Sequence, residues 1–345
     1  MLVLLFAFGC SFRHGSLGAG DADTGDTSTP DALGPAWPYK RKLTLANNGL
    51  AALDNFPLLV VLDATRIRYT PAGADVRFTD IGGVQLPYEI ESWNASGSSY
   101  VWVKVPHIDA ATTTDLWMYY GNAGATDGQT PTAVWDASYV GVWHLVDAHD
   151  STGKNASTNS AATATTGRIG PALAFASGAY VDTMSTSHLD RWTIEAWMKP
   201  TFASGVATAG SSIISRFPNY LMLWDCNSSA FCHSVLYDGS ASTSAGSYRA
   251  SYTASAGAWT QVAGSYDGTA VRAYVAGVMS GQQSTTDTPL DVTASAKIGI
   301  RQDLMGPFTG AIDEVRISSV ARSTDYLLAS VRAATDTYIT FGAEQ

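Results

Sequence analysis

GAIDEVRISSVARSTDYLL, Gly310 to Leu328, is the stretch from which the rest of the chain is read. β-Branched residues dominate its first half and Gly310 opens it. Ile312, Val315 and Ile317 alternate imperfectly with Asp313, Glu314 and Arg316, which reads as a strand. Ser323 then stands where a helix N-cap belongs, with Asp325 in the first turn and Tyr326, Leu327 and Leu328 behind it. The stretch predicts a strand, a turn and one short helix close to the C-terminus.

Working outward, the composition agrees with a β protein. The 345 residues suffice for two domains, each able to bury a core. Only 14% of residues are charged, and 32 glycines accompany abundant Thr, Ser, Val, Trp and Tyr. That mixture favours strands joined by many turns. No long stretch keeps a 3.6-residue period. A net charge of −10 excludes nucleic acid as a partner, because phosphate neutralisation needs clustered Lys and Arg.

The N-terminal run MLVLLFAFG, Met1 to Gly9, is too short to span a bilayer, which needs roughly 20 apolar residues. It has the size of a signal-peptide core. Ala7, Phe8, Gly9 and Cys10 resemble a bacterial lipobox, which implies lipidation of Cys10 and a membrane link through that anchor alone. With Cys10 so used, Cys226 and Cys232 remain as a pair within DCNSSAFC, and export permits a disulfide between them; free thiols are the alternative. Residues 11–36 are rich in Gly, Ser, Thr, Asp, Ala and Pro and read as a disordered acidic tether.

From Trp37 the pattern changes. WPYKRKLTLANN, FPLLVVLD, ADVRFTD, VQLPYEIESW, SYVWVKVP and TDLWMYYGN are about six strands separated by turns, which predicts a β-sandwich over residues 37–136. The set ADVRFTD, LPYEIESW, VWVKVP and MYYGN resembles the bacterial domain-of-unknown-function family 2341. That family brings no established activity and is commonly followed by a laminin G-like domain.

Residues 137–345 read as that second domain. YVGVWHLV opens it, and WTIEAWMKP (Trp192 to Pro200), WTQVAGSYDGTAVRAYVAG (Trp259 to Gly277) and GAIDEVRIS follow, with TYITFGAE last. These motifs resemble laminin G-like, concanavalin A-like lectin/glucanase domains. Ala276 departs from the family's Y-x-N-G turn, where Asn is usual. The resemblance implies an all-β chain of two sandwiches, the second a concanavalin A-like jelly roll.

Candidate sites follow. The resemblance implies one structural Ca²⁺ held by Asp150, an oxygen near Asn155, and Asp313, since oxygen ligands suit that ion. Asp313 could instead bond loop amides or pair with Arg316 or Arg322. His144 and His149 in HLVDAHD offer imidazoles beside carboxylates, the donors of a transition metal, against the plainer role of a histidine at the edge of a core. Glu89 and Glu91 share one strand face, as a hydrolytic pair would, but no partner cluster is visible around them. No catalytic residue is assigned, because nucleophile-elbow, zincin, phosphate-loop and dinucleotide motifs are all missing. Trp224, Tyr237, Tyr248 and Tyr252 are candidate sugar-stacking residues near hairpin ends. The expectation is an exported or cell-surface binding protein whose ligand is a glycan, with an extracellular protein partner or a polysaccharide hydrolase or lyase as alternatives.

Overall fold

The computed structural model describes residues 33–69, 73–176, 178–201, 211–224, 234–238, 247–251 and 255–345. Cys10, Cys226, Cys232 and Tyr252, and most of the N-terminal tether, lie outside those residues. The described chain is nearly all strand. β1 (Tyr39–Ala46), β2 (Leu53–Leu62), β3 (Arg77–Asp80), β4 (Tyr88–Ser92), β5 (Ser99–Ile108) and β6 (Thr113–Tyr120) come first, followed by the single turn of α1 (Pro131–Val134). Next are β7 (Tyr139–Trp143), β8 (Thr158–Ser160), β9 (Thr163–Thr166), β10 (Pro171–Phe175), β11 (Tyr180–Asp182), β12 (Trp192–Pro200), β13 (Ser211–Arg216) and β14 (Tyr220–Trp224). β15 (Ser234–Asp238), β16 (Ser247–Ser251), β17 (Thr260–Tyr266), β18 (Ala270–Val275), β19 (Val278–Ser284), β20 (Lys297–Ile298) and β21 (Gly310–Ser318) follow. α2 (Thr324–Ala334) and β22 (Ile339–Glu344) close the chain.

Two sandwiches result. In the first, a sheet ordered β22-β1-β6-β3 faces a sheet ordered β2-β5-β4. Leu43, Leu45, Phe56, Leu58, Phe78, Val103 and Met118 fill the space between them. In the second, β19-β18-β17-β12-β21-β10-β9 form one sheet, to which β7 adds along the far half of β21. The opposing sheet runs β16-β15-β14-β13-β20-β11-β8. Trp192, Ile194, Met198, Met222, Val262, Ile312, Val315 and Ile317 pack between the two.

α2 forms where the sequence places it. The Ser323 hydroxyl accepts the Tyr326 N–H at 3.1 Å, and Asp325 sits in the first turn against the positive end of the helix. The Ala276-Gly277 turn also matches the hairpin expected of it. Both residues have positive φ, 49° and 75°, as a two-residue turn between right-twisted strands demands. Alanine is poorly suited to that conformation, so Ala276 costs stability where Asn would not.

The boundary between the domains differs from the expectation of a break at residue 136. β22, at the end of the chain, pairs with β1 and so belongs to the sheet of the first sandwich. α2 lies on β2, with the Tyr326 ring edge-on to Phe56 at 5.1 Å. Tyr326, Ala329, Ala333 and Tyr338 share one core with β1, β2 and β5. The cause is visible in β12 and β21, whose residues are buried on both faces almost throughout. One face fills the jelly roll; the other is covered by α2 and the first domain. Strands so covered lose the alternation of polar and apolar residues.

A fragment of residues 37–136 therefore lacks one sheet strand and a covering helix. It is expected to give the collapsed amide NMR spectrum of an unfolded chain, whereas residues 37–345 unfold in one cooperative transition. A well-dispersed spectrum from the short fragment would contradict the shared core.

Candidate functional site at the domain junction

The junction buries an unusual number of ionisable groups. β4 delivers Glu89 and Glu91 from the first domain. The residue just past β7 is His144, and β21 brings Asp313, Glu314 and Arg316. β21 does so through a bulge. Trp197 pairs with Asp313 and Glu195 with Arg316, so Glu314 and Val315 together stand opposite the single residue Ala196. Glu314 takes the left-handed conformation, φ 52°, that such an extra residue needs. The bulge resets the alternation: Ile312, Val315 and Ile317 all face the core, and Asp313, Glu314 and Arg316 turn to the junction.

His144 Nδ1 lies 2.6 Å from Glu314 Oε1 and 3.6 Å from Glu91 Oε2, and its Nε2 lies 3.5 Å from Glu89 Oε2. Arg316 donates to the second oxygen of Glu314 at 2.5 Å, with its guanidinium 4.3 Å from the Trp102 ring centre and 5.4 Å from that of Trp135. The two indoles in turn donate to the carboxylates, Trp102 to Glu91 at 2.8 Å and Trp135 to Glu89 at 2.9 Å. Ser151 donates to the other Glu89 oxygen at 2.6 Å. The turn after β9 approaches from the far side. An added Cβ at Gly170, already at φ +56°, would lie 2.7 Å from Glu91 Oε1, so only bare backbone fits there.

The electrostatics separate these acids into two kinds. Burial pushes Glu314 up, but His144 and Arg316 prevail and hold it down at about 2. Glu89 is likewise raised by burial and lowered overall by His144 and its hydrogen bonds. Burial, with Glu314 as a neighbouring negative charge, drives Glu91 and Asp313 well above the usual carboxylate range. Burial pulls His144 down, yet Glu314 and Glu89 more than reverse this and hold the imidazole protonated. These shifts favour the ionised forms of Glu314 and Glu89 beside the His144 imidazolium and the Arg316 guanidinium, and the protonated forms of Glu91 and Asp313.

A second knot sits beside it. Arg322 binds Asp136 at 3.0 Å and lies over the rings of Tyr139 and Tyr326, whose hydroxyls meet at 2.5 Å. A pocket of about 200 Å³ opens above the first cluster, lined by Glu89, Glu91, His144, Asp147, His149 and Ser151 among others.

The expected calcium ligands are not gathered in this way. Asp150 and Asn155 share a loop, but the Asp150 oxygens accept the N–H groups of Val142, Thr152 and Asn155, and the Asn155 amide points its own N–H₂ at Asp150. Asp313 accepts the N–H groups of Arg168 and Ile169 at 2.7 and 2.9 Å, the loop-amide alternative. N–H groups so directed occupy both Asp150 oxygens and Oδ2 of Asp313, whereas Asp313 Oδ1 is buried without a partner. Among the aromatic candidates, Tyr237 stands opposite Tyr248 across β15 and β16. Trp224 is the last residue of β14. The grouping of Glu89 and Glu91 with His144 and Glu314 was not foreseen, since the partners lie 53 to 225 positions away in the chain.

Two substitutions read these opposite shifts in metal-free buffer. Glu314 has a depressed pKa, so its stabilisation is present above the unfolded value near 4.3 and is lost as pH falls toward 2. Glu314→Gln at pH 7 is expected to cost ~3–5 kcal/mol, because it strands two buried cations. Glu91 has a raised pKa, so its contribution is fully present below about 4.3 and is lost as pH rises. Glu91→Gln should match the wild-type melting temperature at pH 4 and exceed it at pH 8. Equal losses for both variants at both pH values would refute this division of roles.

Residues 72–159 match a family described as domain of unknown function 2341, and residues 175–326 match the concanavalin A-like lectin/glucanases superfamily. The first match runs through β7 and His144, the elements that fasten the two sandwiches together. Among solved structures, domain 4 of AbnA, a GH43 extracellular arabinanase from Geobacillus stearothermophilus in complex with arabinotriose, is 22% identical with a TM-score of 0.44. That alignment covers 57% of this chain and 100% of that one. The binding domain of Paraclostridial Mosquitocidal Protein 1 is 11% identical, with a TM-score of 0.43 over 57% of this chain and 52% of that one. The binding domain of Botulinum Neurotoxin DC, in complex with SialylT, is 12% identical, with a TM-score of 0.44 over 57% of this chain. The chain spans about half the length of these toxin domains, 52% in both cases. At such identities and TM-scores these likenesses add nothing on function. No curated protein matches the chain. The two family matches lie in that order along the chain, a domain of unknown function 2341 followed by a concanavalin A-like lectin/glucanase domain.

Proposed function

We propose that this chain is a non-catalytic binding protein of the bacterial cell surface and that its jelly roll takes a glycan. The observation that carries the reading is what the junction does with its acids. The Glu91 side chain has no exposed surface, and Glu314 is enclosed by His144 and Arg316. A glycosidase needs two carboxyl groups in contact with its substrate. Here the acids act as a joint, and the rest of the jelly-roll surface remains for binding. The concanavalin A-like match supports a carbohydrate ligand; an extracellular protein is the alternative partner. Trp224, Tyr237, Tyr248 and Tyr252 remain the stacking residues to test first.

One observation favours a second reading, a polysaccharide hydrolase. Glu89 lines an open pocket, and the pKa values of Glu89 and Glu91 are pushed apart, as they are in acid–base pairs. One experiment separates the two. Residues 37–345 are screened on a glycan array, with and without calcium, and each bound polysaccharide is then incubated and assayed for new reducing ends. Binding without cleavage is expected. Cleavage abolished by Glu89→Gln would replace the binding reading by the hydrolase, and a blank array would move the ligand to protein.

The surface location rests on Cys10 as a lipid attachment site, with Cys226 and Cys232 paired in the exported chain. Among the described residues no helix is long and apolar enough to cross a membrane. Cys10→Ser is expected to shift the protein from the membrane fraction to the soluble fraction of the producing cells. Unchanged retention would remove the anchor.

A further inference from the structure

We infer that Glu91, His144 and Glu314 form a binding site for one divalent transition-metal ion, zinc foremost, that bridges the two domains. The three side chains offer one imidazole nitrogen and two carboxylate oxygens, all within 4.8 Å of one another. Four-coordinate zinc holds such ligands at about 2.0–2.2 Å, which requires donor atoms about 3–3.5 Å apart. His144 Nδ1 stands 2.6 Å from Glu314 Oε1 and 3.6 Å from Glu91 Oε2, so modest side-chain rotations open that geometry.

The surroundings are those of a metal site as well. His144 Nε2 has no hydrogen-bond partner and faces Glu89 Oε2 at 3.5 Å. With Nδ1 on a metal, Nε2 carries the proton and Glu89 becomes the carboxylate that orients the ring. Trp135 and Ser151 already hold Glu89 in place for that role. Glu91 Oε1 is a second buried oxygen without a partner. Arg316 engages the Glu314 oxygen that faces away from His144, so it steadies this ligand without occupying its metal-facing atom. The junction also gathers more acids than cations: Glu89, Glu91, Asp313 and Glu314 against His144 and Arg316. The excess calls for protons or for a cation. Entry runs through the pocket above the cluster, where Asp147 and His149 line the wall.

One nitrogen with two carboxylate oxygens suits Zn²⁺ or Mn²⁺ better than Ca²⁺, which takes six to eight oxygens. The site differs from the Asp150, Asn155 and Asp313 set in both ligands and ion, and one of its ligands comes from the first domain. Binding couples to the fold, because neither domain alone supplies the ligand set.

The test uses residues 37–345, stripped with chelator, equilibrated with ZnCl₂ and desalted. Bound zinc is measured by elemental analysis, and the melting temperature is compared with and without the ion. About one zinc per chain and a rise of several degrees are expected, as mass action requires for a ligand of the native state. CaCl₂ should give neither. Glu91→Gln removes a ligand while keeping the side chain's shape, so it tests the site in a folded protein; His144→Gln is read alongside it. Both should retain less than one fifth of the wild-type zinc. Co²⁺ in place of zinc should give the visible absorption of a low-coordinate site in wild type and not in Glu91→Gln. Substoichiometric zinc in the wild type, or full zinc in both variants, would overturn the proposal, the second result assigning the ion to the exposed histidines.

Discussion

A charge removed from water must be met by another charge or by a proton, and at this junction neither domain can satisfy that condition alone. Glu89 and Glu91 come from one sandwich, and His144, Glu314 and Arg316 from the other. Separated, each set would leave buried ions unmatched at a cost of several kcal/mol per group. The relative placement of the domains is therefore held by electrostatic necessity as well as by apolar burial. The two indoles, Trp102 and Trp135, serve both ends: their faces cover Arg316 and their N–H groups reach the carboxylates.

The device that makes this possible is one extra residue in β21. Without the bulge at Glu314, strict alternation after Ile312 would send Val315 and Ile317 outward and Glu314 and Arg316 into an apolar core. With it, three apolar residues face inward and three ionisable ones face the junction. The positive φ at Glu314 is the local strain that accompanies this, and the surrounding contacts hold it in place. Arg316 and Glu195, paired across β12 and β21, lie on the same covered face.

Much of this was legible in particular residues. The flaw in the alternation of Ile312, Asp313, Glu314, Val315, Arg316 and Ile317 is the bulge itself, read as imperfection because one strand alone does not reveal its partner's register. Ser323 and Asp325 announced α2 because capping is local chemistry. Glu89 and Glu91 were recognisable as a same-face pair, but their neighbours are brought in by tertiary contact and no short-range pattern encodes them. TYITFGAE was legible as a strand and misassigned to the second sandwich, since a strand's sequence does not say which sheet it joins. Asp150 reads in the sequence as a calcium ligand; that it accepts the N–H groups of its own loop depends on a loop geometry that composition does not specify.

The same constraint explains why the two domains occur as a unit. The first lends the second a cover for the outer face of β12 and β21, where Glu195, Trp197 and Arg316 would otherwise meet water. The second returns α2 and β22, which complete the first domain's core and its sheet. The exchange ties the ends of the described chain together: β1 lies between β6 and β22, so the start of one domain is paired with the end of the other. A jelly roll mounted in this way has one sheet face committed to its neighbour. Any ligand that it carries must approach the opposing sheet, the loop rim or the pocket above His144, and the joint fixes the direction in which those surfaces point.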